Sequence, residues 1–496
     1  MSGFIRYEQK NNIVYASVYR SKRIENKKTN DIEYLGRVIN REKGVFKNRK
    51  RGVFCYSLED GYTKAPAEYL SLLGKECLIL DFGDAFLLHE LLKKTGLYDV
   101  LNKSFPYCLD TVLSMVSHRI LDTVSASRYA DEWWEGSYAR FLYPKAILQS
   151  QRISEFLRNL GEEPYQRKFF HNYISYVAGE GCNCGILLDS TGLPNDIRFP
   201  LTAINNHNGL ISNEARLILV MDRRTRMPIY FRYAAGNIVD VTTLKTTLME
   251  LKAYGVNVNF AVVDAGYYSE KNIRAMQSEN IPFVVRMVPN RKLYKNLVKE
   301  YAGSLEDAKY LTKYGNRLIF IRQAAIDLFG KTGYAYIAVD MDRKHDEIRK
   351  YASAALDNDD ISDDDMNHTM RTKGIFVLLS AADIDTHEIL PLYYERQAIE
   401  QVFDFSKNSA DLLPLRIHSV ETFRGHLLLS FIASAVYLAA NKLLADNEDS
   451  AIRSFHLFRN LKCKVFEKQI VVQEANKRMN DVVKKLKIEI PYDIPL

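Results

Sequence analysis

The chain has 496 residues, 47% of them hydrophobic and 26% charged, with a formal net charge of +7. The length excludes one ordinary core and calls for about three folding units, while the composition is that of a soluble globular protein. No apolar run approaches the roughly 18 residues needed to span a bilayer, so no membrane partner is expected.

In chain order, residues 4–55 read as short strands. IVYASVY alternates aromatic and β-branched residues, a basic turn SKRIENKKTND follows, and IEYLGRVI answers it, which is the pattern of a hairpin with a Lys/Arg-rich loop. The opening MSGFIRYEQKNN has no apolar core of a secretion signal, so a cytoplasmic protein is expected. From Asp81 the period changes: FGDAFLLHELLKKTGLYDVL repeats apolar residues at helical spacing and breaks at Gly96, and helical patterns run on to about Gly179. Trp133 and Trp134, in the middle of this stretch, read as core packing. GILLDST (185–191) is then a short apolar strand, and RLILVMDRRTRMPIYFRYAAGN (216–237) is two strands joined by a turn. The helix VTTLKTTLMELKAYG, the strand NFAVVDAG (259–266), the helix SEKNIRAMQSEN and the strand PFVVRMV (283–289) complete a mixed α/β sheet. Residues 291–372 look irregular, with strand-like RLIFIRQ and YAYIAVDMD. The strand GIFVLLSA (374–381), a long helix from about His387 to Ser409, and further helices follow. The apolar stretch 427–440 is interrupted by Ser430, Ser434 and Tyr437 and reads as a buried helix.

The cysteines, at 55, 77, 108, 182, 184 and 463, form no disulfide framework. Cys182 and Cys184 have only His171 nearby as a further soft ligand, short of the four a structural zinc site takes, and read as reduced thiols. Charge is uneven. Residues 1–52 hold 14 Lys and Arg against 5 Asp and Glu, residues 451–496 hold 10 against 5, and 357–365 (DNDDISDDD) is acidic. Basic ends suit a polyanion, because phosphate contacts and counterion release dominate nucleic-acid affinity; a solvated charged surface explains the same composition.

Two strands end in Asp after apolar residues, ILLD at Asp189 and AVVD at Asp264. A buried strand closing on Asp places a rigidly anchored carboxylate at the sheet edge, where α/β folds put their chemistry. Asp222 (LVMD) and Asp340 (IAVD) share the pattern, so spacing alone does not choose among the four. Asp222, before RRTRMP, reads as a hairpin-turn residue, and Asp340 and Asp342 fall in a turn of the irregular stretch.

The helix at 387–409 discriminates better. With Tyr393 at zero and about 100° per residue, Arg396 falls near 300°, Glu400 near 340° and Lys407 near 320°. A carboxylate flanked by two cations and a phenol thus shares one face, beside a core-facing stripe of Leu392, Ile399, Val402 and Phe403. An exposed Arg–Glu–Lys ladder is the bland alternative.

Tyr393, Arg396, Glu400 and Lys407, read as Y-x2-R-x3-E-x6-K, resemble the signature of the IS-four superfamily of bacterial insertion-sequence transposases. LLDSTGL around Asp189 and VVDAGYYSEKNI around Asp264 resemble that family's two aspartate strands, and AAGNIVDVTTL (234–244) its intervening G-N-x-x-D-x-x-T-L segment. The N-terminal VYASVYRSKRIENKKTNDIEYLGRV resembles the opening module of one branch, in which a Tyr-Arg strand leads through a basic turn to Leu-Gly.

The resemblance implies a ribonuclease-H-like α/β core, residues 181–290 and 373–445, with a β-rich insertion at 291–372. A small basic β-rich DNA-binding module (1–65) and a helical region for end recognition or dimerisation (80–180) precede it, and a basic helical segment (446–496) follows. It implies catalysis by Asp189, Asp264 and Glu400 holding two Mg²⁺ ions, with Mn²⁺ substituting. Two ions about 3.5–4 Å apart can serve both the attacking and the leaving oxygen of a phosphodiester. Asp189 would bridge, and Asp264 and Glu400 would each hold one ion. Tyr393, Arg396 and Lys407 would grip the transposon-end backbone, with Asn237 and Asp240 in support. The implied partners are DNA, as terminal inverted repeats and target, and a second subunit at synapsis, in a bacterial cytoplasm at the nucleoid. A ribonuclease-H-like nuclease without strand transfer and a transposase-derived DNA-binding protein are the alternatives.

Overall fold

The computed structural model describes residues 3–10, 13–24, 27–48, 50–66, 69, 76–179, 183–195, 199–207, 210–356, 363–408, 412–413, 415, 417–444 and 450–496. The acidic residues 357–362 and Cys182 lie outside them. Contacts divide the chain into two compact units, residues 1–80 with 461–496, and residues 81–460.

In the first unit, β1 (Gly3–Lys10), β2 (Ile13–Ile24), β3 (Lys27–Asn40), β4 (Val45–Asn48), β5 (Gly52–Ser57) and β6 (Gly61–Lys64) form an antiparallel meander in sequence order. The period-2 pattern sends Ala16, Val18, Leu35, Phe46, Phe54 and Tyr56 to one buried face. Beneath them Arg20 donates to Tyr56 Oη at 2.6 Å and pairs with Glu33 at 3.1 Å. The same unit holds a four-stranded sheet that joins β7 (Glu76–Asp81) to three strands from the end of the chain.

The second unit opens with a helical bundle: α1 (Gly83–Lys94), α2 (Leu97–Ser104), α3 (Leu109–Leu121), α4 (Ala130–Gly136), α5 (Ala139–Leu142), α6 (Ser150–Leu160) and α7 (Glu163–Ala178). The mixed sheet then begins with β8 (Asn183–Pro194), β9 (Ala203–His207), β10 (Leu210–Asp222) and β11 (Met227–Ala235), followed by α8 (Leu244–Ala253), β12 (Asn257–Val263), α9 (Glu270–Ser278) and β13 (Phe283–Arg286). The region 291–372, read as a β-rich insertion, is in fact mixed. It contains α10 (Lys292–Tyr301), β14 (Leu311–Tyr314), β15 (Arg317–Asp327), β16 (Thr332–Asp340), α11 (Met341–Leu356) and α12 (Asp363–Thr372). Its strands extend the main sheet. With β17 (Ile375–Ser380) the order is β11-β10-β8-β12-β13-β17-β16-β15-β14, with β9 hydrogen-bonded to β10. β8, β12 and β13 run parallel; β10 is antiparallel to β8, and β17 is antiparallel to both β13 and β16.

After β17 come α13 (Ile389–Tyr394), α14 (Gln397–Asn408), α15 (Val420–Leu444) and α16 (Ala451–Arg459). α15 is long and apolar enough to cross a membrane, yet most of it is buried inside this unit. Arg119 of α3 is itself buried against it, donating to Ser430 Oγ at 2.6 Å. α6 approaches α15 backbone to backbone: a Cβ on Gly425 would fall 1.8 Å from Leu157 O, and one on Gly161 1.8 Å from Glu421 O. The final stretch, expected to be helical, is mixed as well. Beyond α16, β18 (Lys462–Phe466), β19 (Gln469–Val472), α17 (Lys477–Leu486) and β20 (Asp493–Pro495) follow, and β18–β20 belong to the four-stranded sheet of the first unit. Strands of three to five residues are too short to declare a period.

Candidate active site

The parallel register of β12 on β8 pairs Val263 with Leu188, so the next residue of each strand, Asp264 and Asp189, stand side by side. Ile186, Leu187, Leu188, Ala261, Val262 and Val263 are all buried beneath them and fix both carboxylates from below. Asp264 sits where β12 ends. Asp189, expected as the last residue of its strand, does not: β8 runs on to Pro194 because β10 continues to pair with it as far as Glu214. Asp189 marks the point where β12 leaves the sheet, so its carboxyl faces the gap that opens there.

The single helix expected at 387–409 is two helices, α13 and α14, joined through Glu395 and Arg396. The joint is a tight turn: Arg396 N reaches Tyr393 O at 3.4 Å, and Ile399 N reaches Arg396 O at 2.9 Å. Two contacts hold it open. Glu395 accepts both Nε and Nη2 of Arg223, at 2.5 and 3.3 Å, while Arg396 turns the other way, into the carboxylates. Leu392, Ile399, Val402 and Phe403 are buried on the core side of the two helices.

One guanidinium meets all three carboxylates. Arg396 Nη1 donates to Asp189 Oδ2, and its Nη2 lies 3.3 Å from Asp264 Oδ1 and 3.8 Å from Glu400 Oε1. Tyr393 donates its hydroxyl to Asp264 Oδ1 at 3.2 Å, and Lys407 Nζ donates to Thr191 Oγ1 at 2.6 Å. Access is graded: the side chains of Asp189, Asp264 and Glu400 are 13%, 37% and 59% exposed. The cluster is therefore anchored at Asp189 and open at Glu400.

Burial raises the Asp189 carboxyl to about 6; Arg396 opposes this rise and the charge of Asp264 adds to it. Burial works against the charge on Arg396, but the carboxylates of Asp189 and Asp264 more than offset it and hold the guanidinium firmly protonated. Burial, then the charge of Asp264, pushes the Tyr393 phenol up to about 12, so it remains a donor. Burial lowers the Lys407 ammonium, with Glu214 opposing. Arg396 Nε is buried and makes no hydrogen bond among the described residues.

Asp240 adjoins this cluster and Asn237 does not. Asp240 Oδ1 accepts Ser190 Oγ at 2.6 Å and Arg216 Nη1 at 2.7 Å, and Ser190 N in turn donates to Asp189 Oδ1 at 2.8 Å. Asn237 is exposed in the turn after β11 and is bonded to none of the site residues. Ser190, Thr191 and Arg216 carry no signal of their own in the sequence; only their places beside and across from Asp189 could have pointed to them.

The other two strand-end aspartates are occupied elsewhere. Asp222 accepts Thr225 N at 2.8 Å in the β10–β11 turn. Asp340 caps α11, accepting the backbone N–H of Asp342 at 3.1 Å and of Arg343 at 3.2 Å, and pairs with Arg317 at 2.8 Å.

A family model described as "Transposase DDE domain" matches residues 180–436, just over half of the chain. The chain belongs to that family. The match covers β8 to β13, the β14–β17 region, α13, α14 and most of α15, so every residue of the cluster lies inside the transposase domain. No curated protein matches the chain. Among solved structures it is similar to a piggyBac transposase in a cryo-EM synaptic complex with hairpin DNA, at 11% identity and a TM-score of 0.36, over 76% of this chain and 69% of that one.

Proposed function

We propose that this transposase-family chain moves a bacterial insertion sequence of the IS-four superfamily by cut-and-paste, with Asp189, Asp264 and Glu400 as its catalytic carboxylates. The observation that carries the reading is their convergence on the one guanidinium of Arg396 from β8, the end of β12, and α14. Sheet order supports a ribonuclease-H-like core: an antiparallel β11-β10-β8 edge continues into parallel β12 and β13.

The donor set fits divalent cations. Three hard carboxylates stand against one guanidinium, and the burial that raises the Asp189 carboxyl strengthens any attraction between it and a cation. Among the described residues no three carboxylate, imidazole or thiol side chains stand close enough to hold an ion as they are, since Arg396 is wedged between the acids. Arg396 holds the acids together as a cation would, and would have to withdraw for an ion to take its place. When bound, a pair of Mg²⁺ ions, or Mn²⁺ in their place, supplies positive charge at the phosphate that is cut and joined.

The chain's own groups do the rest. Asp189, held by buried strand beneath it and by Ser190 N, orients the centre. Tyr393 keeps Asp264 in place through its hydroxyl. Arg396 and Lys407 lie on the α13–α14 side, where a fork and a point charge can hold the phosphates of a transposon end. Hydrolysis breaks a P–O bond and frees a 3′-hydroxyl at the element end. That hydroxyl then attacks a target phosphodiester, releasing one target strand end for each joint made. The basic β-rich first unit and the helices α1–α7 serve end recognition and synapsis, which brings two copies together.

The test is cleavage of labelled DNA flanking the gene, with Mg²⁺ or Mn²⁺, beside Glu400→Gln. Metal-dependent nicking at the borders of an inverted repeat, lost by roughly 10³-fold in the variant while end binding survives, is the expected result. Full cutting by Glu400→Gln sinks the assignment. Nicking without joined products leaves a nuclease, and binding without cleavage leaves a DNA-binding protein.

A further inference from the structure

The outward face of the first unit's meander does not look like a solvated sheet. Its inward side is filled by Ala16, Val18, Leu35, Phe46, Phe54 and Tyr56, so aromatic rings on the opposite side are not needed for that core. Yet the cross-strand registers line up Phe4 with Tyr19, Arg6 with Ser17, Tyr19 with Ile32, and Ser17 with Tyr34 on that side. Phe4 and Tyr34 are each 57% exposed and Ile32 is 56% exposed. Rings pair flat: Phe4 on Tyr19 at 5.5 Å and 13°, Tyr15 on Tyr34 at 6.4 Å and 27°. Arg6 lies 5.8 Å from the Tyr19 ring centre. A groove runs along this face past Arg6, Tyr15, Ser17, Tyr19 and Tyr34.

Charge on the face is mostly positive. Exposed Arg37 pairs across the strands with Tyr15, and exposed Lys47 pairs with Arg37, so both share this side with Arg6 and Lys10, against the one acid, Glu8, among the described side chains. Rings interleaved with cations are what a strand of unpaired bases needs: π-faces to stack on and charges to follow the phosphates. A duplex is a poor occupant. Its bases are already stacked on one another and leave no free π-face for these rings.

We propose that the β1–β3 face is a stacking platform for single-stranded DNA, with Tyr19 and Tyr34 as its principal rings. The proposal deepens the transposase reading and rests on DNA being the partner. It concerns a surface remote in sequence from the carboxylates, and it works without metal.

The test uses the full chain in metal-free buffer and fluorescence anisotropy with oligothymidine of about 20 nucleotides, beside a duplex of similar length. Tyr19→Ala/Tyr34→Ala is compared with Tyr19→Phe/Tyr34→Phe, and circular dichroism melts check that both fold. The expected result is a loss of roughly 10-fold or more in single-strand affinity for the alanine pair, with the phenylalanine pair close to wild type. The slope of affinity against salt stays unchanged, because no phosphate contact is removed. Wild-type affinity in the alanine pair overturns the proposal. Equal losses for duplex and single strand, or a loss in the phenylalanine pair as large as in the alanine pair, overturn it too. A wild-type chain that nicks element ends but does not hold oligothymidine refutes the platform alone and leaves the transposase reading standing.

Discussion

Asp189 and Asp222 follow similar apolar runs, ILLD and LVMD, on neighbouring antiparallel strands, and their surroundings could hardly differ more. The register pairs Asp222, at the far end of β10, with Ile186, three residues before Asp189, which pairs with Leu219. At that far end Asp222 accepts the backbone N–H of Thr225, and at the β16–α11 junction Asp340 accepts two backbone N–H groups and Arg317. These carboxylates satisfy local donors, the ordinary work of turn and cap residues. Beside the end of β12, Asp189, Asp264 and Glu400 share a single guanidinium. A strand-end aspartate is thus told apart by what neutralises it. Where backbone donors suffice the residue holds the fold, and where several acids depend on one guanidinium the residue belongs to the candidate site.

The contrast can be broken most directly through pH. Asp189 has its folded carboxyl raised to about 6, above the ordinary 3.8, chiefly by burial. The sign follows: the folded state binds the extra proton, so Asp189 costs nothing below pH 4. The cost grows as pH rises through that range and is fully present above about 6. For a shift of this size it amounts to about 3 kcal/mol. Chemical unfolding in metal-free buffer is therefore expected to show wild-type stability falling, relative to Asp189→Asn, between pH 4 and 7, with Mg²⁺ or Mn²⁺ restoring it at pH 7. Parallel curves for the two proteins would mean that burial does not raise the Asp189 carboxyl in the folded chain.

Asp340→Ala sharpens the other side. It removes the cap of α11 and leaves Arg317, which is about a third exposed, without its partner. A loss of about 2 kcal/mol in unfolding free energy is expected, with cleavage per folded molecule unchanged. A loss of cleavage with stability intact would move Asp340 into the chemistry and undo the distinction.

How much of this is legible in the sequence depends on the range of the interactions. The helices of 81–179 and the strands β8 and β10 to β13 follow local periodicity, and so they read out, whereas β9 lies in the polar stretch between them and is held only by pairing with β10. The sharing of one face by Tyr393, Arg396, Glu400 and Lys407 also reads out, because helical geometry is local. The break at Glu395–Arg396 does not, since it depends on Arg223, far away in sequence, holding Glu395 to one side. RLIFIRQ and YAYIAVD announce strands, but nothing local says that β15 and β16 join the main sheet next to β17 rather than forming one of their own. Asp189 as a strand end fails for a similar reason, because only the partner strand β10 decides where β8 stops. Asn237 and Asp240 sit in one matched segment, and only tertiary pairing with Ser190 and Arg216 separates the residue that reaches the cluster from the one that does not.

The smallest expected effect probes Arg396 as the stand-in cation. Its guanidinium touches all three acids, and without DNA it opposes any ion that would replace it. On DNA the same group can turn to a phosphate, because Glu400 and Asp264 leave that side open. Arg396→Ala should then act with opposite signs in two assays. Binding to the element end falls by several-fold, with the salt slope reduced by about one. Mn²⁺ binding to the DNA-free protein, followed by electron paramagnetic resonance, tightens, because a competing positive charge has left three carboxylates. Weaker Mn²⁺ binding in the variant would mean that Arg396 organises the acids rather than occupying the ion's place. The likeness between this cluster and a metal centre would then rest on the carboxylates alone.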